Sequence, residues 1–249
     1  MRTLSIGNSF SQDATRWLHD LAESVGFPLT CVNLYIGGCS LEQHWNNAET
    51  GAAEYAYEEN GLDTGRKVSI AEALEEGDWD IVTLQQVSGK SGQYETYQPY
   101  LNKLAAFVRE KAPLARLMIH QTWAYEIGST HADFARYGNS QLAMYNALCE
   151  VYEQAADAIE AETIPCGDII QVLRTKAPFD VRHGGLSLCR DGFHLSYTYG
   201  RYAAAAVWLS VLSGEEVSPC EFIPQVPGEP VDPALLELIH TTVDEILQS

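Results

Sequence analysis

Short runs rich in aliphatic and β-branched residues recur along the chain at Thr3 to Ile6, Thr30 to Tyr35, Asp80 to Leu84, Arg116 to Gln121 and Glu162 to Cys166. Longer amphipathic stretches lie between and after them: Ala14 to Val25, Pro99 to Lys111, Asn139 to Ala161, Ser196 to Leu212 and Pro233 to Leu247. Strand-length runs alternating with helix-length periodicity predict a parallel sheet wrapped by helices. The expected fold is therefore α/β, a three-layer α/β/α sandwich on a five-stranded parallel sheet. The segment from Glu54 to Ser69 breaks the alternation. Its Tyr55, Tyr57, Asn60-Gly61 and Lys67-Val68-Ser69 predict a small inserted β-hairpin, with Asn-Gly as the turn. Such a hairpin either overhangs the site as a rim or decorates an edge.

In open sheets of this kind ligands bind at the carboxyl ends of the strands, near the point where strand order reverses. The loops there read Gly7-Asn8-Ser9-Phe10-Ser11, Ile36-Gly37-Gly38-Cys39-Ser40, Gln85-Gln86-Val87-Ser88-Gly89 and Thr122-Trp123-Ala124-Tyr125. All four carry small or polar residues.

Composition narrows the class. With 249 residues, 46% of them hydrophobic, the chain can fill one sizeable core, so a single domain over residues 1–249 is expected. No internal repeat is visible, and Pro224 to Pro233 reads as a loop leading to the last helix. No run of about 18 apolar residues occurs, which argues against a membrane span. The amino terminus lacks the apolar core and cleavage site of a signal peptide, and a cytoplasmic protein is expected. Six scattered cysteines without a CxxC pair fit a reducing compartment. A formal charge of −19 repels phosphate backbones and anionic headgroups, so nucleic acid and membrane partners are not expected, and a neutral or cationic small molecule is favoured. The glutamates at 54, 58, 59, 72, 75 and 76 read as a solvated face.

Ser9 stands where a buried strand breaks at Gly7 and a helix starts. A hydroxyl there sits over free backbone N–H groups that can stabilise an oxyanion, although Ser and Asn at a helix start also serve as plain caps. Far along the chain, Asp191-Gly192-Phe193-His194-Leu195-Ser196 precedes another helix. In such a turn the Asp can accept the imidazole N–H and fix the tautomer, leaving the other ring nitrogen for a nucleophile. His183, Cys189 and His194 are too loosely spaced for a zinc set, and neither a metal nor a cofactor is implied.

Taken together, the two blocks resemble the SGNH (GDSL-like) hydrolases, whose nucleophile follows the first strand in a G-D-S-like block and whose Asp and His form a D-x-x-H block near the carboxyl end. The resemblance runs from residue 3 to about residue 212. It implies a flavodoxin-like topology, a catalytic triad of Ser9, His194 and Asp191, and an oxyanion hole made by the Ser9 N–H, a glycine N–H after the second strand and an amide side chain after the third. Gly38, or alternatively Gly37, fills the second role. For the third the family pattern G-x-N-D is absent, and Gln85 or Gln86 stands in its place. A glutamine carries the same amide on a longer stem. The departure resembles a branch with a Leu-Gln-Gln block, a G-N-S nucleophile block and a Q-T-W-A-Y run, here Gln121 to Tyr125. Asn8, Trp123 and Tyr125 are candidate substrate contacts, with Trp123 equally able to cover the sheet end.

The expected reaction is two-step acyl transfer through an acyl-enzyme on a small-molecule ester. Glutamine, asparagine and aromatic residues around the loops favour a short acyl group on a polar carrier such as a sugar. A short-chain lipase, a thioesterase, a generalist arylesterase or a ligand-binding module without turnover would share the scaffold. Oligomeric state is left open.

Overall fold

The computed structural model of the protein describes residues 1–247. Among these residues seven strands form one sheet: β1 (Arg2–Gly7), β2 (Thr30–Tyr35), β3 (Tyr55–Glu59), β4 (Leu62–Val68), β5 (Ile81–Leu84), β6 (Arg116–His120) and β7 (Glu162–Ile164). Their spatial order is β4-β3-β2-β1-β5-β6-β7. The five strands from β2 to β7 in this order are parallel, and β3 and β4 add antiparallel pairs at the β2 margin. The sheet thus has seven strands rather than the expected five. The Asn60-Gly61 hairpin takes the edge placement of the two expected, and it joins the sheet itself, because the outer edge of β2 offers it a row of backbone partners from Val32 to Tyr35.

Nine helices accompany the sheet in the described residues: α1 (Ser9–Thr15), α2 (Leu18–Ser24), α3 (Leu41–Thr50), α4 (Ile70–Glu75), α5 (Tyr100–Lys111), α6 (Gln141–Ala158), α7 (Cys166–Leu173), α8 (Tyr199–Ser213) and α9 (Pro233–Leu247). The chain runs from β1 to β2 in one direction across the sheet and on to β5, β6 and β7 in the other, so crossovers of the right hand usual for parallel strands divide the helices between the two faces. On one face α8 packs against α1, α2, α7 and α9. On the other, α3, α4 and α5 pack together and α6 lies against β6 and β7. The run Ala203-Ala204-Ala205-Ala206 in α8 is wholly buried, since small side chains let that helix sit among four neighbours and the sheet. None of the described helices is long and apolar enough to cross a membrane.

Read across its parallel part, the sheet has the strand order second-first-third-fourth-fifth, which reverses direction at β1. The loops after β1, β2 and β5 consequently meet at one crevice. The shared core closes beneath it, with Leu4, Ile6, Val32, Leu34, Val82 and Leu84 all essentially buried.

Candidate active site

At the end of β1 the chain must turn directly into α1. Gly7 permits this because a Cβ there would lie 1.9 Å from the Ser11 hydroxyl oxygen. Asn8 caps the helix: its Oδ1 accepts from the Phe10 N–H at 3.0 Å, and Ser11 Oγ accepts from the Asn8 N–H at 3.0 Å. Ser9 becomes the first helical residue and its hydroxyl projects from the sheet end. Its backbone N–H has no acceptor among the described residues, as expected for the first turn of a helix.

The Asp191 to His194 turn arrives from the opposite side. Its stems are joined by a bridge between Cys189 and Leu195 and by the Arg190 N–H donating to His194 O at 2.9 Å. Gly192, at φ +85°, makes the turn where L side chains rarely go. Asp191 Oδ1 accepts from the Phe193 and His194 backbone N–H groups, and Asp191 Oδ2 lies 2.7 Å from His194 Nδ1. Partial burial pushes the Asp191 carboxyl up, but the hydrogen bonds from His194 and from the two backbone N–H groups outweigh it and hold the carboxyl below its ordinary value. A carboxylate at that distance assigns the proton to Nδ1, leaving the Nε2 lone pair to accept the Ser9 hydroxyl at 2.9 Å. Ser9, His194 and Asp191 therefore stand in a hydrogen-bonded line, contributed by two segments far apart in the chain.

This line opens on a cavity of about 420 Å³. Gly38, Ser88, Tyr125, His131 and Phe193 are among its walls. Gly38 has φ +65°, and its N–H has no acceptor among the described residues. The phenol of Tyr125 and the hydroxyl of Ser88 are hydrogen-bonded at 2.9 Å. The Phe193 ring packs between the imidazoles of His194 and His131, with centroids 4.1 and 4.7 Å away.

Gln85 and Gln86 do not face this cavity. Gln85 Nε2 donates to Asn8 Oδ1 at 2.7 Å, and its Oε1 accepts from His120 Nδ1 at 2.8 Å. Burial keeps His120 neutral, its pKa pushed down to about 3. Gln86 Oε1 accepts from the Leu41 and Val87 N–H groups, while its Nε2 donates to Thr96. The amides chosen from sequence as oxyanion donors are thus used to brace loops. What the β5 loop does present to the cavity is Val87, Ser88 and Gly89, and the N–H groups of Ser88 and Gly89 have no acceptor among the described residues.

Trp123 takes the second of its two expected roles and covers the sheet end. It is fully buried, stacks on Phe10 with centroids 4.3 Å apart and donates its indole N–H to Phe193 O at 2.7 Å. It props the histidine turn instead of offering a face to a ligand. Asn8 borders the cavity, yet its amide is committed: Nδ2 donates to Cys39 O at 3.0 Å, tying the Ser9 loop to the Gly38 loop. Tyr125 remains on the wall.

One residue of the supposed solvated glutamate face is likewise buried. Glu58, 6% exposed, accepts from Asn33 Nδ2 at 2.8 Å and from Gln12 Nε2, so the hairpin is anchored to α1. Sequence reasoning passed over Asp13, His120, Ser88 and His131. Asp13 had a usable signal, since it follows Ser9 by one helical turn and so shares its face. The six cysteines are unpaired, and the described residues hold no cluster of three or more metal-ligating side chains.

Residues 2–229 match the family described as Domain of unknown function (DUF4886). No curated protein matches the chain. Among solved structures, the chain is similar to a DUF4886 family protein from Bacteroides uniformis, with 35% identity, a TM-score of 0.89, and coverage of 100% of this chain and 95% of that one. It is also similar to a candidate SGNH hydrolase from Slackia heliotrinireducens, at 25% identity and TM-score 0.59, covering 85% and 98% of the two chains. A lipase/acylhydrolase from Enterococcus faecalis shares the fold at 14% identity and TM-score 0.53, with 86% and 95% covered.

Proposed function

The chain belongs to the DUF4886 family, and from that premise and the geometry of its crevice we propose that it is a serine esterase. The observation that carries the reading is the line from Ser9 Oγ through His194 to Asp191, with spacings of 2.9 and 2.7 Å, at the mouth of a cavity. The likeness to SGNH hydrolases supports the fold side of it.

In the proposed reaction Ser9 Oγ attacks the ester carbonyl as its proton passes to His194 Nε2, and Asp191 stabilises the imidazolium. The oxyanion of the tetrahedral intermediate accepts from the N–H groups of Ser9 and Gly38, which have no acceptor of their own. His194 then returns the proton to the departing alkoxide oxygen as the C–O bond breaks. Water repeats the sequence on the acyl-enzyme and frees Ser9.

We read the substrate as a short acyl ester of a polar, carbohydrate-like alcohol. A cavity of about 420 Å³ suits a small ligand, and Ser88, Tyr125 and His131 offer hydroxyl and imidazole groups to its oxygens. A fluorophosphonate probe followed by intact mass tests the chemistry: one adduct on the wild type and none on Ser9→Ala is expected. Absence of an adduct on folded wild type would sink the esterase reading. A panel of acetylated sugars, longer acyl esters and thioesters tests the substrate, and faster turnover of long-chain esters or thioesters would overturn the carbohydrate assignment.

A further inference from the structure

Asp13 is completely buried, on the helix that starts with Ser9, and its carboxylate receives four polar contacts. Arg190 Nη1 donates to both oxygens at 3.0 and 2.9 Å, Arg201 Nε donates to Oδ1 at 2.7 Å, and the Leu195 backbone N–H donates to Oδ2 at 2.9 Å. Arg190 and Leu195 immediately flank the Asp191 to His194 turn. Arg190 also donates to Leu195 O, closing the stems on each other. The nucleophile's own helix therefore grips both ends of the turn that carries its base.

The far side of the turn is held through its backbone carbonyls: the Glu126 N–H donates to Gly192 O at 2.8 Å, and the Trp123 indole donates to Phe193 O. What this does for catalysis rests on the esterase reading of Ser9 and His194. We propose that Asp13 is a positioning residue, which sets the distance between His194 and Ser9 by coupling the turn to α1. It touches neither substrate nor the reacting atoms, and it moves no proton. Its charge is needed because Arg190 and Arg201 are both partly buried beside it, and an uncharged side chain would leave two guanidinium groups without a counter-ion. Both arginines also lie against the Tyr197 ring, their guanidinium carbons 4.9 and 4.8 Å from its centroid, which helps fix their own orientation.

The test compares wild type with Asp13→Asn, which keeps the shape of the side chain and removes its charge. For Asp13→Asn, kcat is expected to fall about 10- to 100-fold with KM within about twofold, the signature of a misplaced base and an intact cavity. The rate of fluorophosphonate labelling at Ser9 is expected to fall in parallel. A second readout needs no turnover: the His194 Nδ1–H proton, observed by NMR, is expected to exchange with water faster in Asp13→Asn than in wild type. Unchanged kcat and unchanged exchange in a folded Asp13→Asn protein would overturn the proposal. A wild type that neither labels nor hydrolyses esters, yet shows the expected change in exchange, would defeat the esterase reading and leave the positioning of His194 by Asp13 standing.

Discussion

Replacing Asn8 by Asp tests how the Ser9 loop is held. Asn8 is 1% exposed and works in both directions: Oδ1 accepts from Phe10 and Gln85, and Nδ2 donates to Cys39 O at 3.0 Å. An ionised Asp keeps the first pair and loses the second, placing an anionic oxygen against a buried carbonyl. Loss of the bond alone is worth about 1 kcal/mol, and leaving the Cys39 carbonyl without a donor raises the cost to about 1–3 kcal/mol. The α1 amino terminus offsets part of this, by about 0.3–1 kcal/mol. The net loss of about 1–2 kcal/mol corresponds to a Tm roughly 2–8 °C lower for a chain of this size. The loss has a definite pH dependence. Burial and the facing carbonyl raise the new carboxyl's folded pKa above its unfolded value, and once protonated it can donate to Cys39 O. The variant's stability is therefore greatest in acid and falls as pH rises through the folded pKa. Thermal melts of Asn8→Asp and wild type at several values between about pH 4 and about pH 8 measure this, with the Tm gap expected to widen towards neutrality. A gap that is absent or constant over that range would refute the claim that the Asn8 amide ties these two loops together.

Asp191→Asn should lower kcat by roughly 10³- to 10⁴-fold near neutral pH, because the amide no longer secures the Nδ1–H tautomer or the imidazolium; steady-state hydrolysis of an aryl ester measures it, and a loss under about tenfold would contradict the role assigned to Asp191. For Glu58, burial raises the carboxyl's folded pKa above its unfolded value, so its contribution to stability is fully present in acid and is lost as pH rises through the folded pKa. The Tm of wild type relative to Glu58→Gln should accordingly decline from acid to neutral pH, and a pH-independent difference in paired melts would show that Glu58 does not titrate with this perturbation. Trp123→Phe keeps a ring against Phe10 but orphans Phe193 O, so a stability loss of about 1–3 kcal/mol is expected in denaturant unfolding. A change in KM with no loss of stability would instead make Trp123 a ligand contact.

Much of the architecture was legible because strand-length apolar runs and helix-length periodicity leave different signatures. The five parallel strands and the Asn60-Gly61 hairpin fall where that reading puts them. Helix α3 escaped it: Leu41, His44 and Ala48 are its only buried residues, too few for a recognisable apolar stripe. Helix α7 was hidden for another reason, since Pro165 separates it by one residue from the short strand β7 and the apolar run reads straight through. At the site, local motifs located Ser9, Asp191 and His194 because each block folds largely on its own hydrogen bonds. The glutamines could not be resolved in that way. Whether an amide faces a cavity or a neighbouring loop depends on long-range partners, here His120 for Gln85 and the start of α3 for Gln86. The same limit hid Glu58, whose burial follows from Asn33 and Gln12 and from nothing adjacent to it in sequence.

The hairpin has a consequence for the strand beside it. Without β3, β2 would be the sheet's outermost strand, fraying in solution and free to pair with another chain. With the hairpin in place β2 is flanked on both sides, and the outermost position passes to β4, whose Asp63, Thr64, Gly65, Arg66 and Lys67 are exposed and whose pairing with β3 slips register at Tyr57 and Glu58. Charge and an irregular ladder make β4 a poor template for aggregation. The insertion therefore works as a selvedge: it takes the wear at the border, so that the strand leading into Gly38 can stay as rigid as the centre of the sheet.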